Sequence, residues 1–444
     1  MPTATSKPAS TATARPSTPT PTPTPPRSIP YFGVSMTQVD AEHGLAQAQE
    51  AGVGVLRVSA LSWETVEPVR TEPPTYLWDK MSGLDQQLAD AAHAGIQVTL
   101  IVMFTPEWAR QVPSHNCSAI KEEAFGPFAQ FLQAAVARYG PSPYNIHRWE
   151  LYNEPDVDPA LVSTWSAYGC WGDANDPFYG GRTFGRMLQA AYPAIKKADR
   201  KAVVIVGGLL LDAPDTLPAN FLAGILEAGA GSSFDLLAYH AYTYYFASAP
   251  EADRRPDQPW SALGVVAGKA KFLRDVMAQY GVSRPLVLNE AGYGWLGSRP
   301  PPTEFPAFQA DYVTKLYARG LALDLGSVIW YGWEAPGWRH MALLNDDLSP
   351  RPGAQAFALA VRQLAGAAYT GPTAYEGVEG YAFRRKSDRL QVLWSGDYQP
   401  HTVRVPLQEL RTALDSVGQP VSHTEQSGQA VFTVVRPVVL VLAP

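Results

Sequence analysis

The stretch Trp149-Glu-Leu-Tyr-Asn-Glu-Pro155 joins an apolar β-strand to an abrupt polar end. Pro155 has no N–H to give to a neighbouring strand, so a strand predicted over 147–153 stops before it. Glu154 then stands at the carboxyl end of that strand. A second stretch, Pro285-Leu-Val-Leu-Asn-Glu290, is similar, because a strand with no charge before its end finishes in a glutamate. The two glutamates meet only if both strands open onto the same edge of one sheet.

These two strands are the fourth and seventh of eight similar units, in each of which a short β-branched run precedes an amphipathic stretch. Such alternation predicts a parallel α/β sheet. The loops that follow the strands are long and those that follow the helices are short, which favours a (β/α)8 TIM barrel over an open, doubly wound sheet. The predicted strands cover 31–36, 53–58, 96–103, 147–153, 202–206, 234–239, 285–289 and 326–331.

Two flanking segments differ from this pattern. Residues 1–28 contain eight Pro and eight Thr, with no apolar side chain larger than Ala after Met1, which predicts a disordered, extended linker. Residues 29–367 form the predicted catalytic barrel. Residues 368–444 alternate short strands with turns, which predicts a small antiparallel, sandwich-like accessory β domain.

The composition excludes several classes of protein. A net charge of −6 argues against nucleic acid as a partner, since phosphate binding needs a basic face. No apolar run is long enough to be a transmembrane segment. Neither H-E-x-x-H nor C-x-x-C occurs, so we expect no metal and no cofactor.

Two opposed carboxyl groups at a barrel mouth are what cleavage of a glycosidic bond requires. One group must be protonated, to give its proton to the leaving oxygen, while the other is ionised. A shared, partly dry cleft separates their pKa values, because like charges resist joint ionisation. Glu154 and Glu290 are therefore the predicted catalytic pair. The competing interpretation, that each is a structural carboxylate at a loop junction, is weakened because the pattern occurs twice.

With these residues the chain resembles the retaining glycoside hydrolases of clan A, in particular family 39 (xylosidases and iduronidases) and family 5 (cellulase relatives). The resemblance rests on Asn153-Glu154-Pro155, on Glu290 and on Leu56-Arg57 with the loop after it. It implies that Glu154 is the acid/base, that Glu290 is the nucleophile and that Asn153 bonds the 2-hydroxyl of the sugar.

The resemblance extends to three further positions. Arg57, at the end of the second strand, would lie near Glu290 and keep it ionised. The sixth strand ends in Tyr239-His240-Ala241-Tyr242, in which Tyr242 would donate to the nucleophile and His240 would bind sugar or hold the network. Each also has a structural interpretation, as a salt bridge in the barrel floor or as a buried polar group.

Tryptophans gather at the strand ends and in the loops that follow them. Aromatic faces stack on the C–H faces of pyranose rings, so a tryptophan-lined mouth suits a carbohydrate ligand. Trp330 is the predicted platform beneath the reacting sugar, with Trp333 as its rival and Trp108 as a wall. The alternative is that several of these rings only pack the loops together.

The chain has two cysteines, Cys117 and Cys170, in the loops after the third and fourth strands. Those loops are neighbours in a barrel, so a disulfide is expected, with two free thiols as the alternative. A disulfide and a Pro/Thr-rich spacer both favour a secreted or cell-surface protein tethered through residues 1–28, over a tail without consequence. Any signal or anchor would precede this sequence.

The predicted function is a retaining O-glycoside hydrolase that acts on an oligo- or polysaccharide or a glycoconjugate. One alternative is a non-catalytic carbohydrate-binding protein on a degenerate barrel. Another is a barrel enzyme with different chemistry, such as a lyase or an aldolase, which would need a Schiff-base lysine or a metal cluster at a strand end.

Overall fold

The computed structural model describes residues 31–444, apart from 212, 248–250, 261–262, 336 and 386–387. The linker predicted over 1–28 lies outside the described residues. Among the described residues, no helix is both long and apolar enough to cross a membrane.

Eight parallel strands close into a barrel in sequence order, since the first strand pairs with both the second and the eighth. The predicted (β/α)8 barrel is therefore confirmed against the open sheet. Its strands are β1 (Phe32–Met36), β2 (Val55–Ser62), β3 (Gln97–Met103), β4 (Arg148–Leu151), β5 (Val203–Leu209), β6 (Leu236–Tyr244), β7 (Leu286–Gly294) and β8 (Val328–Trp330).

Helices surround the barrel and bury their apolar faces against it. In the fourth of them Phe128, Phe131, Leu132 and Ala135 recur at helical spacing and are all buried. The helices are α1 (Leu45–Ala51), α2 (Trp63–Val66), α3 (Ser82–His93), α4 (Phe125–Tyr139), α5 (Gly181–Ala198), α6 (Asn220–Glu227), α7 (Val265–Gln279), α8 (Phe305–Ala322) and α9 (Pro352–Leu364).

The strands that carry the site differ in length from the prediction. β6 and β7 continue past their predicted ends at Tyr239 and Asn289, and they stay paired from His240 and Glu290 to Tyr244 and Gly294. Polar residues were expected to end these strands. They remain in the sheet because their side chains face a cleft at the barrel mouth rather than the apolar core.

A second unit of antiparallel strands follows the barrel, as predicted, and begins at Ala368. Its strands are β9 (Ala368–Pro372), β10 (Val378–Arg385), β11 (Asp388–Ser395), β12 (His401–Pro406), β13 (Leu410–Leu414), β14 (Thr424–Gln426), β15 (Gln429–Val434) and β16 (Val438–Leu442). They form one sheet in the order β13-β16-β11-β10-β9 and another in the order β12-β15-β14. The sequence did not indicate β9, β13 and β14, which have few large apolar residues.

The β unit packs onto the barrel through a shared core and a buried ionic cluster. Phe383, Leu390 and Trp394 belong to the same apolar cluster as the barrel residues. Beside them Glu251, from the loop after β6, bonds Lys315 at 2.8 Å and Arg319 at 2.6 Å, both on α8. Burial alone would raise the pKa of Glu251, but Arg319 and Lys315 lower it below its usual range. The cluster thus links a loop at the barrel mouth to the β unit, because Arg319 also bonds Glu379 on β10 at 2.8 Å.

Arg319→Met leaves Glu251 and Glu379 without their shared buried cation. We expect it to lower the free energy of unfolding by about 3–5 kcal/mol, the usual cost of breaking a buried ion pair. Urea unfolding followed by circular dichroism measures the change. Arg411→Met is the control, since Arg411 forms a partly exposed pair with Asp388 and its loss should change stability by less than about 1 kcal/mol. Equal effects of the two changes would contradict the role given to Arg319.

Candidate active site

Three side chains predicted to act together meet at the carboxyl ends of the barrel strands. Glu154 follows β4, His240 lies on β6 and Glu290 lies on β7, and all three are buried. One carboxylate oxygen from each glutamate and one ring nitrogen of His240 lie within 4.8 Å of one another. The backbone also positions Glu154, which has a φ of 48°. This left-handed conformation turns the chain sharply after β4.

Glu290 is held by two donors. Arg57 Nη1 donates to Oε1, and the Tyr242 hydroxyl donates to Oε2. Both contacts predicted for these residues are confirmed. Burial and the adjacent Glu290 raise the pKa of Tyr242 well above its usual value, so its hydroxyl keeps the proton that it donates. Both oxygens of Glu290 are therefore held in place by hydrogen-bond donors.

Arg57 is fixed in turn by a second glutamate. Its Nε and Nη2 donate to both oxygens of Glu150, at 2.9 Å and 2.7 Å, and Nη2 also donates to Asn153 Oδ1 at 2.7 Å. Burial disfavours the charge on Arg57, but Glu150 and Glu290 outweigh that effect and raise its pKa. Asn289 Nδ2 completes the network by donating to Glu150 Oε1 at 2.9 Å.

Glu154 has a different environment from Glu290. Its Oε1 lies 2.7 Å from His240 Nδ1. Burial raises the pKa of Glu154 to about 7, although Arg57 and Lys269 oppose the shift. Burial also lowers the pKa of His240 to about 4, so the imidazole is neutral near pH 7. Glu154 therefore lies beside a neutral imidazole and has a raised pKa, whereas Glu290 lies between a guanidinium and a phenol.

The cleft over these residues has two lobes. The Glu334 lobe has a volume of about 740 Å³ and the Glu154 lobe about 470 Å³. Residues that line both are Asn153, Ala167, Glu290, Tyr331 and Trp338. The Glu334 lobe is also lined by Ser35, Met36, Thr37, Arg57, Val58, Ile101, Met103, Phe104, Gly332, Glu334, Ala335 and Gly337. The Glu154 lobe adds Glu154, Tyr168, Leu210, His240, Tyr242, Tyr244, Val265 and Lys269.

Asn153 lies where the two lobes join. Its Oδ1 accepts from Arg57, and its Nδ2 donates to the carbonyl of Ala167 at 3.0 Å. The amide is therefore oriented by the protein before any ligand arrives, in a position that both lobes share. The hydrogen bond to a sugar hydroxyl that the sequence predicts for it stays a prediction.

The tryptophans predicted from the sequence do not form the platform beneath the reacting sugar, so that prediction is wrong. Trp330 is fully buried and donates to the carbonyl of Met341, while Trp333 is buried and donates to the carbonyl of Gly44. Enclosed rings have no face to offer a sugar. Trp108 packs edge-on against Trp63 and donates to the carbonyl of Glu67, so its contacts are with the loop after β2 rather than with the described cleft.

The cleft's aromatic surface comes instead from neighbours of those residues. Tyr331 directly follows Trp330 and lines both lobes. Trp338, 46% exposed, lines both lobes as well, and the Arg339 guanidinium lies 4.6 Å from its ring centroid. Consecutive side chains along an extended chain point to opposite sides, so Trp330 points into the core and Tyr331, the next residue, points into the cleft.

Sequence reasoning also missed three charged residues. Glu150 anchors Arg57, and its signal was a carboxylate inside a short buried strand. Lys269 lies on α7, donates to the carbonyl of Leu210 at 2.6 Å and lines the Glu154 lobe. Glu334 lines the other lobe, in a loop that the pattern of strands and helices leaves undefined.

Glu154, His240 and Glu290 are also the one group among the described residues with ligand atoms close enough to hold a metal ion. Arg57 and Tyr242 already donate to the two oxygens of Glu290, which favours acid–base use of the group.

The two cysteines are joined by a disulfide, which confirms that prediction over two free thiols. It links the loop after β3 to the loop after β4, both of which border the cleft. Around it the backbone N–H of Asn116 donates to the carbonyl of Thr164, and Asn116 Oδ1 accepts from the backbone N–H of Ser166. The loop that carries Ala167 and Tyr168 to the cleft is thereby fixed.

Comparison with known proteins identifies the class of protein to which this fold and site belong. The model of the family described as Cellulase (glycosyl hydrolase family 5) matches residues 18–292, more than half of the chain. The chain therefore belongs to this glycoside hydrolase family, which is part of clan A. No curated protein matches it.

Solved structures of other clan A families share the fold at low identity. A family 39 glycoside hydrolase from the gut symbiont Bacteroides cellulosilyticus has a TM-score of 0.69 and 19% identity, over 93% of this chain and 80% of that one. A GH30 endoxylanase from Clostridium papyrosolvens has a TM-score of 0.61 and 12% identity, over 94% and 97%. A GH39 β-xylosidase from Caulobacter crescentus has a TM-score of 0.58 and 18% identity, over 94% and 98%.

Replacement of Cys117 and Cys170 by Ser should lower the free energy of unfolding by about 4 kcal/mol, since the bond closes a long loop in the unfolded chain. Urea unfolding of the variant and of the native protein measures this. The native protein in dithiothreitol is the control and should lose as much stability, whereas the variant should not respond to the reductant. A variant as stable as the oxidised native protein would show that the bond adds nothing.

Proposed function

We propose that this protein is a retaining glycoside hydrolase that cleaves O-glycosidic bonds in an oligo- or polysaccharide or a glycoconjugate. The observation that carries the proposal is the pair of buried carboxyls, Glu154 and Glu290, which have oxygens within 4.8 Å of each other and different hydrogen-bond partners. Retaining enzymes have carboxyl groups about 5–5.5 Å apart, whereas inverting enzymes need about 6.5–9.5 Å for a water molecule between substrate and base.

In the first step, Glu290 attacks the anomeric carbon of the bound sugar. The bond from that carbon to the leaving oxygen breaks, and protonated Glu154 gives its proton to that oxygen. Arg57 and Tyr242 donate to the two oxygens of Glu290 and orient it for attack. The raised pKa of Glu154 keeps a proton available near neutral pH.

In the second step, Glu154 accepts a proton from a water molecule as the water oxygen bonds to the anomeric carbon. The bond to Glu290 breaks, and the sugar leaves with the configuration it had in the substrate. His240 is a neutral partner of Glu154 in both steps, because its imidazole can donate to the carboxylate or accept from the carboxylic acid.

We further propose that the protein acts outside the cell. The disulfide supports this, since such bonds persist in oxidising compartments. The Pro/Thr-rich residues 1–28 would then be a spacer before the barrel.

Glu290→Ala should remove the nucleophile and lower kcat by roughly 10⁴-fold or more on every glycoside that the native protein cleaves. Glu154→Ala should lose most activity on natural glycosides and keep it on 2,4-dinitrophenyl glycosides, whose leaving group needs no proton. A screen of aryl glycosides and polysaccharides, with the product anomer followed by NMR, measures both effects.

Normal turnover by Glu290→Ala would overturn the assignment. An inverted product would overturn the retaining mechanism. Tight binding of oligosaccharides by the native protein without cleavage would support a carbohydrate-binding protein instead.

The activity should also fall as pH rises through about 7. Glu154 must be protonated to release the leaving group, and burial raises its pKa to about 7, so the reactive form is lost above that value. A pH profile of kcat/KM on a 4-nitrophenyl glycoside measures this limb. Glu154→Gln on a 2,4-dinitrophenyl glycoside is the control, and there the limb should disappear. A limb that persists in the variant would assign the proton to another group.

A further inference from the structure

Asn289 and Glu290 are consecutive residues of β7, yet their side chains reach the same buried network. Asn289 Nδ2 donates to Glu150, and Glu290 accepts from Arg57, which itself bonds Glu150. In a regular strand, consecutive side chains point to opposite faces. Here the residues before and after Asn289 pair with consecutive residues of β6, so Asn289 is the extra residue of a bulge. A bulge redirects a side chain, which explains how Asn289 joins the site.

The bulge brings the carbonyl oxygen of the Asn289 side chain to the His240 ring. A Cβ added to Gly208, on β5, would lie 2.5 Å from Asn289 Oδ1 and 2.1 Å from His240 Nε2, so the two atoms border the same gap. A glycine is needed at this position, because any side chain on residue 208 would overlap both groups.

Asn289 Oδ1 and His240 Nε2 are both buried, and neither has a hydrogen-bond partner among the described residues. Buried polar atoms are nearly always paired, because an unpaired one costs free energy. The amide oxygen can only accept a hydrogen bond, whereas the ring nitrogen can carry a proton and donate it. A proton on His240 Nε2 therefore gives each of the two atoms the partner that it lacks.

The orientation of the Asn289 amide is set at its other end. Both oxygens of Glu150 accept from Arg57, so Glu150 needs a donor, and not an acceptor, from Asn289. Asn289 Nδ2 lies 2.9 Å from Glu150, which leaves the amide oxygen beside His240. The charge of Arg57 is thereby linked, through Glu150 and Asn289, to the ring nitrogen of His240 that does not contact Glu154.

The other ring nitrogen, Nδ1, contacts Glu154. Burial lowers the pKa of His240 to about 4, so near pH 7 the imidazole carries a single ring proton. With that proton on Nε2, Nδ1 is an acceptor. It lies 2.7 Å from Glu154 Oε1, so the bond between them is donated by the protonated carboxyl group. Ionised Glu154 would face the lone pair of the nitrogen instead, and this disfavours the charged form.

We propose that Asn289 is a positioning residue that holds the proton of His240 on Nε2 in the resting protein, so that Nδ1 accepts from the carboxyl group of Glu154 and keeps that group protonated. The role is indirect, since Asn289 is not among the described residues that line the two lobes. This inference rests on the proposed function for the use of the proton, and it adds the residue that selects the imidazole tautomer.

Other charged and titratable groups also act on Glu154. They are Arg57 on β2, Glu150 on β4, Tyr242 and Tyr244 on β6, Glu290 on β7, Lys269 on α7, and Tyr168 and Tyr331 in the loops after β4 and β8. A change at residue 289 removes a direct contact with one of these groups, Glu150. The test must therefore separate an effect through His240 from an effect through Glu150.

Nitrogen-15 NMR of the histidine-labelled protein measures the tautomer directly, because a ring nitrogen with a proton and one without resonate far apart. Below pH 7, where Glu154 is protonated, the native protein should carry the His240 proton on Nε2. Asn289→Ala should move that proton to Nδ1, where it can donate to Glu154, and His240→Phe identifies the signals. A proton on Nδ1 in the native protein, or an unchanged tautomer in Asn289→Ala, overturns the proposal.

Kinetics measure the effect on Glu154. A donor on Nδ1 would stabilise the ionised carboxylate, so Asn289→Ala should move the alkaline limb of kcat/KM on a 4-nitrophenyl glycoside to lower pH by about one unit, the effect of one hydrogen bond to a charged group. In a His240→Phe background the same change should leave the limb in place, since the effect passes through the imidazole. A limb that does not move, or that moves equally in both backgrounds, overturns the proposal.

Thr99→Val is the matched control for the loss of a buried hydrogen bond. Thr99 Oγ1 accepts from Arg148 Nε at 2.9 Å, and Thr99 is not among the described residues that line the two lobes. This variant should be less stable in urea but keep the native alkaline limb and the native His240 tautomer. A limb shift as large as that of Asn289→Ala would show a general response to lost packing and would overturn the proposal.

The NMR measurement needs no substrate, which separates this proposal from the proposed function. If no glycoside is turned over, the hydrolase assignment fails, and the position of the His240 proton in the native protein and in Asn289→Ala still decides whether Asn289 selects the tautomer.

Discussion

The buried guanidinium of Arg57 is the constraint on which the rest of the site depends. It is bonded to Glu150 on β4 and Glu290 on β7, and it also reaches Asn153. A cation between two carboxylates balances charges that the low-dielectric interior would not tolerate alone. Because these partners belong to strands far apart in sequence, the interaction exists only after the barrel closes, and it then fixes the spacing of the cleft.

A consequence is that the two glutamates acquire unlike properties from one cleft. Glu290 is next to the guanidinium and the hydroxyl of Tyr242, whereas Glu154 faces a neutral imidazole and has a pKa that burial raises. The surrounding structure supports this difference from two sides. The disulfide fixes the loop after β4 on one side of the cleft. The ionic cluster of Glu251 links the loop after β6 to the β unit.

Much of this arrangement was predictable from local sequence. Glu154 was placed correctly just after the fourth strand, but β4 ends at Leu151, earlier than the end that was predicted from Pro155. The aromatic residue that lines the cleft was not predictable from the sequence. Trp330 and Tyr331 are adjacent aromatic residues, and only the direction of each side chain decides which one lies in the core and which one in the cleft. The ends of β6 and β7 were missed because residues such as His240 look like loop residues until a polar cleft is there to face.

The sequence by itself determined the repeated strand–helix order, the antiparallel unit after it and the two glutamates near the mouth of the barrel, because these depend on periodicity and on the chemistry of single residues. Only the tertiary structure decided which charges pair. Glu150 beside Arg57 and Glu334 beside Thr37 are contacts between distant segments, whose partners are set by how the barrel closes. Local pattern carries no information on such contacts, and in this protein they determine the shape and charge of the cleft.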